Sequence, residues 1–159
     1  MNVFEVMTRR VFSVHHGETL AKAAAVMWDR DVGCVPVIDD GGRVVGMLTD
    51  RDICMAALTR GARLDEIEVG SVMSRRVHTC APEQTLAEAG EVMRLDRIRR
   101  TPVVDGDGRL IGLLSIGDLA REAVHQRRRK HGEPMDTGVT TTLAAVSEPR
   151  AVHHLPLAA

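Results

Sequence analysis

Residues 46–52 read Gly46-Met47-Leu48-Thr49-Asp50-Arg51-Asp52, and 66 positions later residues 112–118 read Gly112-Leu113-Leu114-Ser115-Ile116-Gly117-Asp118. Each stretch is a glycine, two apolar residues, a hydroxyl, two unconstrained positions and an aspartate. Outward from this pair, residues 6–53 align without a gap onto 72–119, with 19 of 48 positions identical. Val6-Met7-Thr8-Arg9-Arg10-Val11 answers Val72-Met73-Ser74-Arg75-Arg76-Val77, and Pro36-Val37-Ile38-Asp39 answers Pro102-Val103-Val104-Asp105. Self-similarity at a fixed offset marks a duplicated unit, so both copies are expected to share one fold.

Each copy begins with a short β segment, Val11–Val14 or Val77–Cys80. A threonine and an apolar stripe at helical spacing follow: Leu20, Ala23, Ala24 and Met27, or Leu86, Ala89, Gly90 and Met93. Thr85 with Glu88 fits a capping box, whereas Thr19 with Lys22 keeps only the threonine half. Next come Val35–Ile38 and Arg43–Leu48 around Asp39-Asp40-Gly41-Gly42, the turn chemistry of an antiparallel hairpin, repeated through Asp105-Gly106-Asp107-Gly108. A second helix follows, from about Asp50 to Leu58 and from about Gly117 to His125. The unit is therefore β-α-β-β-α, in an α/β (α+β) chain divided into 1–62, 63–125 and a basic, Pro- and Thr-containing tail, 126–159. One such unit is too small to cover both faces of its sheet, so two are expected to pack sheet to sheet about a pseudo-twofold axis.

Composition narrows the function. Of 159 residues, 44% are apolar and 27% charged, an ordinary soluble composition. At this length folding buries roughly 68–70% of the unfolded chain's surface, so no staple is needed. The 21 basic and 22 acidic residues leave a net charge of −1, with no field to hold a polyanion. Trp28, Phe4 and Phe12 are the only large aromatics, which leaves no platform for stacked bases. Nucleic acid is therefore not an expected partner, and Arg127–Lys130 reads as a solvated helix end. No apolar run approaches the ~18 residues that cross a bilayer, and the N-terminus lacks a signal's apolar stretch. The expectation is a cytoplasmic chain with no membrane partner. Cys34, Cys54 and Cys80, odd in number and without C-x-x-C spacing, read as small buried thiols. No Walker-type, HExxH or Ser-His-Asp pattern gives catalysis a seat, and no metal is expected at the adjacent His15-His16. The chain does not read as an enzyme.

A hydroxyl and a carboxylate three residues apart at a helix start share one side of the first turn. Thr49 or Ser115 would serve as N-cap, with Asp52 or Asp118 in the first turn. The same carboxylate can accept paired hydrogen bonds from the vicinal hydroxyls of a ribose, while the hydroxyl and first-turn amides meet a phosphate. Both readings stand on the residues alone.

Together, the 66-residue duplication, the β-α-β-β-α units, the apolar-Pro-Val strands and the two Gly-apolar-apolar-hydroxyl-x-x-Asp endings resemble a tandem pair of CBS domains. These are the regulatory modules named after cystathionine β-synthase, and the likeness covers about residues 1–124. It implies clefts for adenosine-containing ligands: AMP, ADP or ATP, and less often NAD or S-adenosylmethionine. No cofactor is implied. The family's ribose-binding hydroxyl and aspartate fall on Thr49 and Asp52, and on Ser115 and Asp118. In the resemblance each cleft is composite. The Thr49–Asp52 cleft would be completed by Met47, by Val77 and His78 beside Arg76, and by Arg99 and Arg100. The Ser115–Asp118 cleft would be completed by Leu113, by Val11 and Phe12 beside Arg10, and by Gly33 and Cys34. Because an arginine fork suits phosphate, the first cleft is expected to be the better nucleotide site. Asp50 would oppose phosphate there if it faced inward, with Arg51 as an offset. A homodimer and a separate effector protein are the further partners implied. The competing reading is a protein-interaction adaptor with vestigial clefts.

Overall fold

The computed structural model describes residues Met1–Arg129. Their helices are α1 (Val3–Val6), α2 (Leu20–Asp29), α3 (Asp50–Arg60), α4 (Leu86–Asp96) and α5 (Ile116–Arg129), and their strands β1 (Val14–His15), β2 (Cys34–Ile38), β3 (Val44–Thr49), β4 (Arg100–Val104) and β5 (Leu110–Ser115). The class is mixed α+β, with β1-β2-β3 in one sheet and β4-β5 in another.

Each hairpin is turned by an aspartate. Asp39 Oδ1 accepts the N–H groups of Gly41 and Arg43, both at 2.9 Å, and Asp105 Oδ1 those of Asp107 and Arg109 at 3.0 and 2.9 Å. The Arg43 N–H is the main cause that holds the Asp39 carboxyl below its ordinary value. Gly42 and Gly108, at φ 76° and 80°, supply the left-handed residue that a side chain would strain. The helix starts also follow their sequence signals. Thr85 and Glu88 form the reciprocal capping box, and Thr19 Oγ1 accepts from the Lys22 N–H alone.

The chain packs as two units that do not follow the repeat boundaries. One comprises Phe12–Val77. The other combines Met1–Val11 with the described residues from His78 onward. The lead of each repeat is therefore packed with the strands of the other: Met73 closes on Gly46 of β3, and Met7 on Gly112 of β5. An antiparallel bridge accompanies each, Met47 with Ser74 and Thr8 with Leu113. Leu20, Val35, Val37, Leu48 and Val69 centre the core of the first unit, and Val3, Val103 and Leu114 that of the second.

Several sequence expectations need correction. The strand expected at Val11–Val14 is reduced to Val14–His15, because the chain passes between units at Val11–Phe12. The strand expected at Val77–Cys80 shrinks to one bridge, Cys80 with Val103. Its physical cause is Pro82: the corresponding His16 donates its N–H to Ile38 O at 3.1 Å, a bond proline cannot make. Cys54 is exposed rather than buried, since Ile53 and Ala56 are the α3 residues turned into the core. Helix α5 continues to Arg129, past the start of the expected tail at 126, and the remainder of that tail lies outside the described residues. Among the described residues no helix is long and apolar enough to cross a membrane.

Candidate functional site

Strand β3 delivers Thr49 as the N-cap of α3. Asp52 Oδ2 accepts from the Thr49 N–H at 2.9 Å and the Thr49 hydroxyl at 2.7 Å, while Thr49 Oγ1 accepts the Asp52 N–H at 3.1 Å. Strand β5 and α5 repeat the arrangement. Asp118 Oδ2 accepts from Ser115 N and Oγ at 2.7 and 2.6 Å, and Ser115 Oγ accepts the Asp118 N–H at 3.2 Å. The capping reading of the motif is thus met in both copies. Each cap occupies one carboxylate oxygen and leaves the other to distinguish the copies.

The expectation that first-turn amides would meet a phosphate does not hold at α3. Asp50 N–H donates to Gly33 O at 3.0 Å, Arg51 N–H to Asp50 Oδ1 at 2.7 Å, and Asp52 N–H to Thr49 Oγ1. An anion here must be met by side chains. Asp50 is exposed, and a Cβ placed on Gly33 would lie 3.1 Å from its Oδ2. Gly33 and Asp50 line a groove of about 350 Å³ with Met27, Trp28 and Ile53.

The remaining expected residues divide between the units. Met47, Phe12, Gly33, Cys34 and Val77 share the unit of Thr49 and Asp52, while Val11, His78, Arg99, Arg100 and Leu113 share that of Ser115 and Asp118. Met47 and Ser74 exchange backbone bonds at 3.0 and 2.9 Å, and Leu113 and Thr8 two at 2.9 Å. Cys34 is buried and paired in register with Thr49. Arg100 is likewise in register with Ser115, and Arg99 O accepts the Ile116 N–H at 2.9 Å. Directly opposed residues of an antiparallel pair emerge on the same face, so the exposed Arg100 side chain leaves β4 on the side of Ser115. The Phe12 ring lies beneath the Arg30 guanidinium, 4.3 Å from its centroid. His78 Nδ1 lies 3.1 Å from Asp96 Oδ2, and its carbonyl accepts the buried Thr101 hydroxyl at 2.6 Å. His15 Nε2 contacts Asp40 Oδ1 at 2.9 Å.

Two residues escaped the sequence reading. Asp96 holds His78 through a contact between segments far apart in sequence, for which no local signal exists. Arg121 pairs with Asp118 through Nη2 and Oδ1, a contact the i, i+3 spacing made visible.

The CBS domain family profile matches residues 3–59 and 69–125. The chain belongs to this family and carries two CBS domains. The CBS domain-containing protein YhcV of Bacillus subtilis is 37% identical over 119 residues, 75% of this chain and 83% of YhcV. Hypoxic response protein 1 of Mycobacterium tuberculosis is 32% identical over 117 residues, 74% of this chain and 81% of that protein. A crystal structure of hypoxic response protein I with two coordinated zinc ions matches with a TM-score of 0.70 at 31% identity, over 76% of this chain and 98% of that one. The crystal structure of CBSX2 in complex with AMP also matches with a TM-score of 0.70, at 28% identity, over 80% of this chain and 98% of that one.

Proposed function

We propose that this chain is a non-enzymatic ligand-sensing module that binds an adenosine-containing nucleotide of the AMP, ADP or ATP class and controls a separate partner protein, itself self-associating as a dimer. The carrying observation is Asp52: its Oδ2 is spent on the cap of α3, and its half-buried carboxylate makes no other bond among the described residues. A carboxylate oxygen held in place by a helix cap is a preorganised acceptor for two vicinal ribose hydroxyls. CBSX2, with AMP bound, lends the ligand class. Since the first-turn amides of α3 are engaged, the phosphate falls to arginine forks, a role that the resemblance gives to Arg99 and Arg100. A ligand regulates through such a site only by as much as it prefers one arrangement of the protein over another.

The register of Arg100 with Ser115 favours a second reading, in which the arginines serve the Ser115–Asp118 motif. The zinc of hypoxic response protein I is not carried over, because the described residues hold no group of three His, Cys, Asp or Glu side chains suited to a metal.

The test is thermal unfolding with AMP, ADP, ATP, NAD, S-adenosylmethionine and GTP. Ligand at ~100 times its dissociation constant stabilises by about 2.7 kcal/mol, so a clear rise in midpoint is expected with an adenosine ligand and its loss in Asp52→Ala. An Arg99→Ala/Arg100→Ala variant that fails like Asp118→Ala rather than Asp52→Ala selects the second reading. Silence across the panel overturns the proposal in favour of an adaptor.

A further inference from the structure

The two motifs share their caps but not the surroundings of the second carboxylate oxygen. Asp118 is only 6% exposed, and its Oδ1 is taken by the Arg121 guanidinium one turn along α5. Sixty-six positions earlier stands Met55, exposed and without charge, so Asp52 has no such neighbour. With Oδ2 committed to Ser115, a ribose diol reaching Asp118 must displace or share a charge-assisted bond, the stronger kind. A diol reaching Asp52 displaces nothing from Oδ1.

Building on the proposed nucleotide reading, we infer that Arg121 is an internal competitor for the ribose at Asp118, and that it sets the two motifs apart in ligand affinity. The arginine occupies in cis the acceptor that a diol would use. Opening the contact leaves a buried carboxylate with one partner fewer, a cost charged against ligand at this motif alone. The residue thereby determines which of two near-identical motifs a ribose ligand fills first.

Calorimetric titration with AMP and with S-adenosylmethionine tests the inference on the full chain. In Arg121→Met, affinity at the weaker site is expected to rise tenfold or more, and Asp118→Ala in that background should abolish the gain. The reciprocal Met55→Arg is expected to weaken the tighter site by a similar factor. A role confined to helix stability would produce no gain of binding. Arg121→Gln, which keeps a polar side chain without the charge, serves as a second variant, with circular dichroism checking that each is folded. The inference is overturned if Arg121→Met and Arg121→Gln, both folded, bind within twofold of the unaltered chain while Asp52→Ala loses affinity. It is overturned equally if Asp52→Ala and Asp118→Ala lose the same amount. Silence of both ligands in every variant overturns the nucleotide reading itself and this inference with it.

Discussion

Replacing Gly46 by alanine tests how tightly the lead of one repeat is packed on the strands of the other. A Cβ at this position would lie 2.4 Å from Met73 Sδ, 2.9 Å from its Cγ and 3.1 Å from the Ser74 carbonyl oxygen. The sulfur can swing aside, but that carbonyl is held by its bond from the Met47 N–H at 3.0 Å. Overpacking of this kind costs roughly 1–3 kcal/mol, and alanine returns about 0.4–1 kcal/mol by restricting the unfolded chain. Gly46→Ala should therefore destabilise by about 1–2 kcal/mol. At Gly112 the three nearest atoms all belong to the Met7 side chain, Sδ, Cε and Cγ, at 2.4, 3.2 and 3.2 Å. A flexible side chain yields more cheaply, so Gly112→Ala should cost less than about 1 kcal/mol. The assay is urea unfolding, followed by fluorescence of Trp28, which sits in the Phe12–Val77 unit, and by circular dichroism, which reads both units together. In a Met73→Ala background the contacts with Sδ and Cγ are gone while the Ser74 carbonyl remains, so Gly46→Ala should cost less than in the unaltered chain without becoming stabilising. A cost below about 0.3 kcal/mol, or one unchanged by Met73→Ala, would refute the packing argument.

Two further outcomes follow from titrating groups. The Thr85 N–H, and then its hydroxyl, hold the Glu88 carboxyl below its ordinary value of 4.5, so its stabilising contribution is full above that value and is lost as pH falls through the lower folded-state one. Glu88→Gln should therefore flatten the acid limb of a stability-against-pH profile below about pH 4.5, and limbs that stay parallel would contradict the cap's charge dependence. Burial pushes the Cys80 thiol up, Cys34 is also buried and Cys54 is exposed, so a disulfide reagent should titrate Cys54 rapidly in the folded protein and all three thiols after unfolding. A fast phase that survives Cys54→Ser would show that another thiol is accessible.

The parts of the fold legible in the sequence were those governed by local chemistry. Thr85 with Glu88, Thr49 with Asp52, and the Asp-Gly turns at 39–42 and 105–108 satisfy backbone donors within a few residues, so their signals are complete in a short window. The stripes Leu20–Met27 and Leu86–Met93 were equally readable, because helical periodicity needs no knowledge of what the helix packs against. What escaped depended on partners distant in the chain. Nothing local shows that Met73 belongs over Gly46, that Pro82 cuts short a strand begun at Cys80, or that Asp96 holds His78. The exchange of repeat leads was hidden for the same reason: a duplication reveals that two segments are alike, not which copy each will pack against. At the candidate site, the aspartates and hydroxyls were visible as a motif, whereas the engagement of the Asp50 amide required the path of the Gly33 carbonyl.

The duplication also separates structural demand from specificity. Thr49–Asp52 and Ser115–Asp118 make the same three hydrogen bonds with matching donors and acceptors, although residues between and beyond them differ: Asp50 and Arg51 against Ile116 and Gly117, Met55 against Arg121. The helix start is satisfied equally by either neighbourhood, so starting a helix does not account for the divergence. The same holds one strand away, where Cys34 and Arg100 occupy equivalent register positions and the carbonyls of Gly33 and Arg99 each accept the N–H of the first residue of the following helix. The backbone task is common to the copies, and the charge placed around each carboxylate is not. Variation confined to side chains around a shared backbone frame is where two sites of one ancestry can come to prefer different ligands.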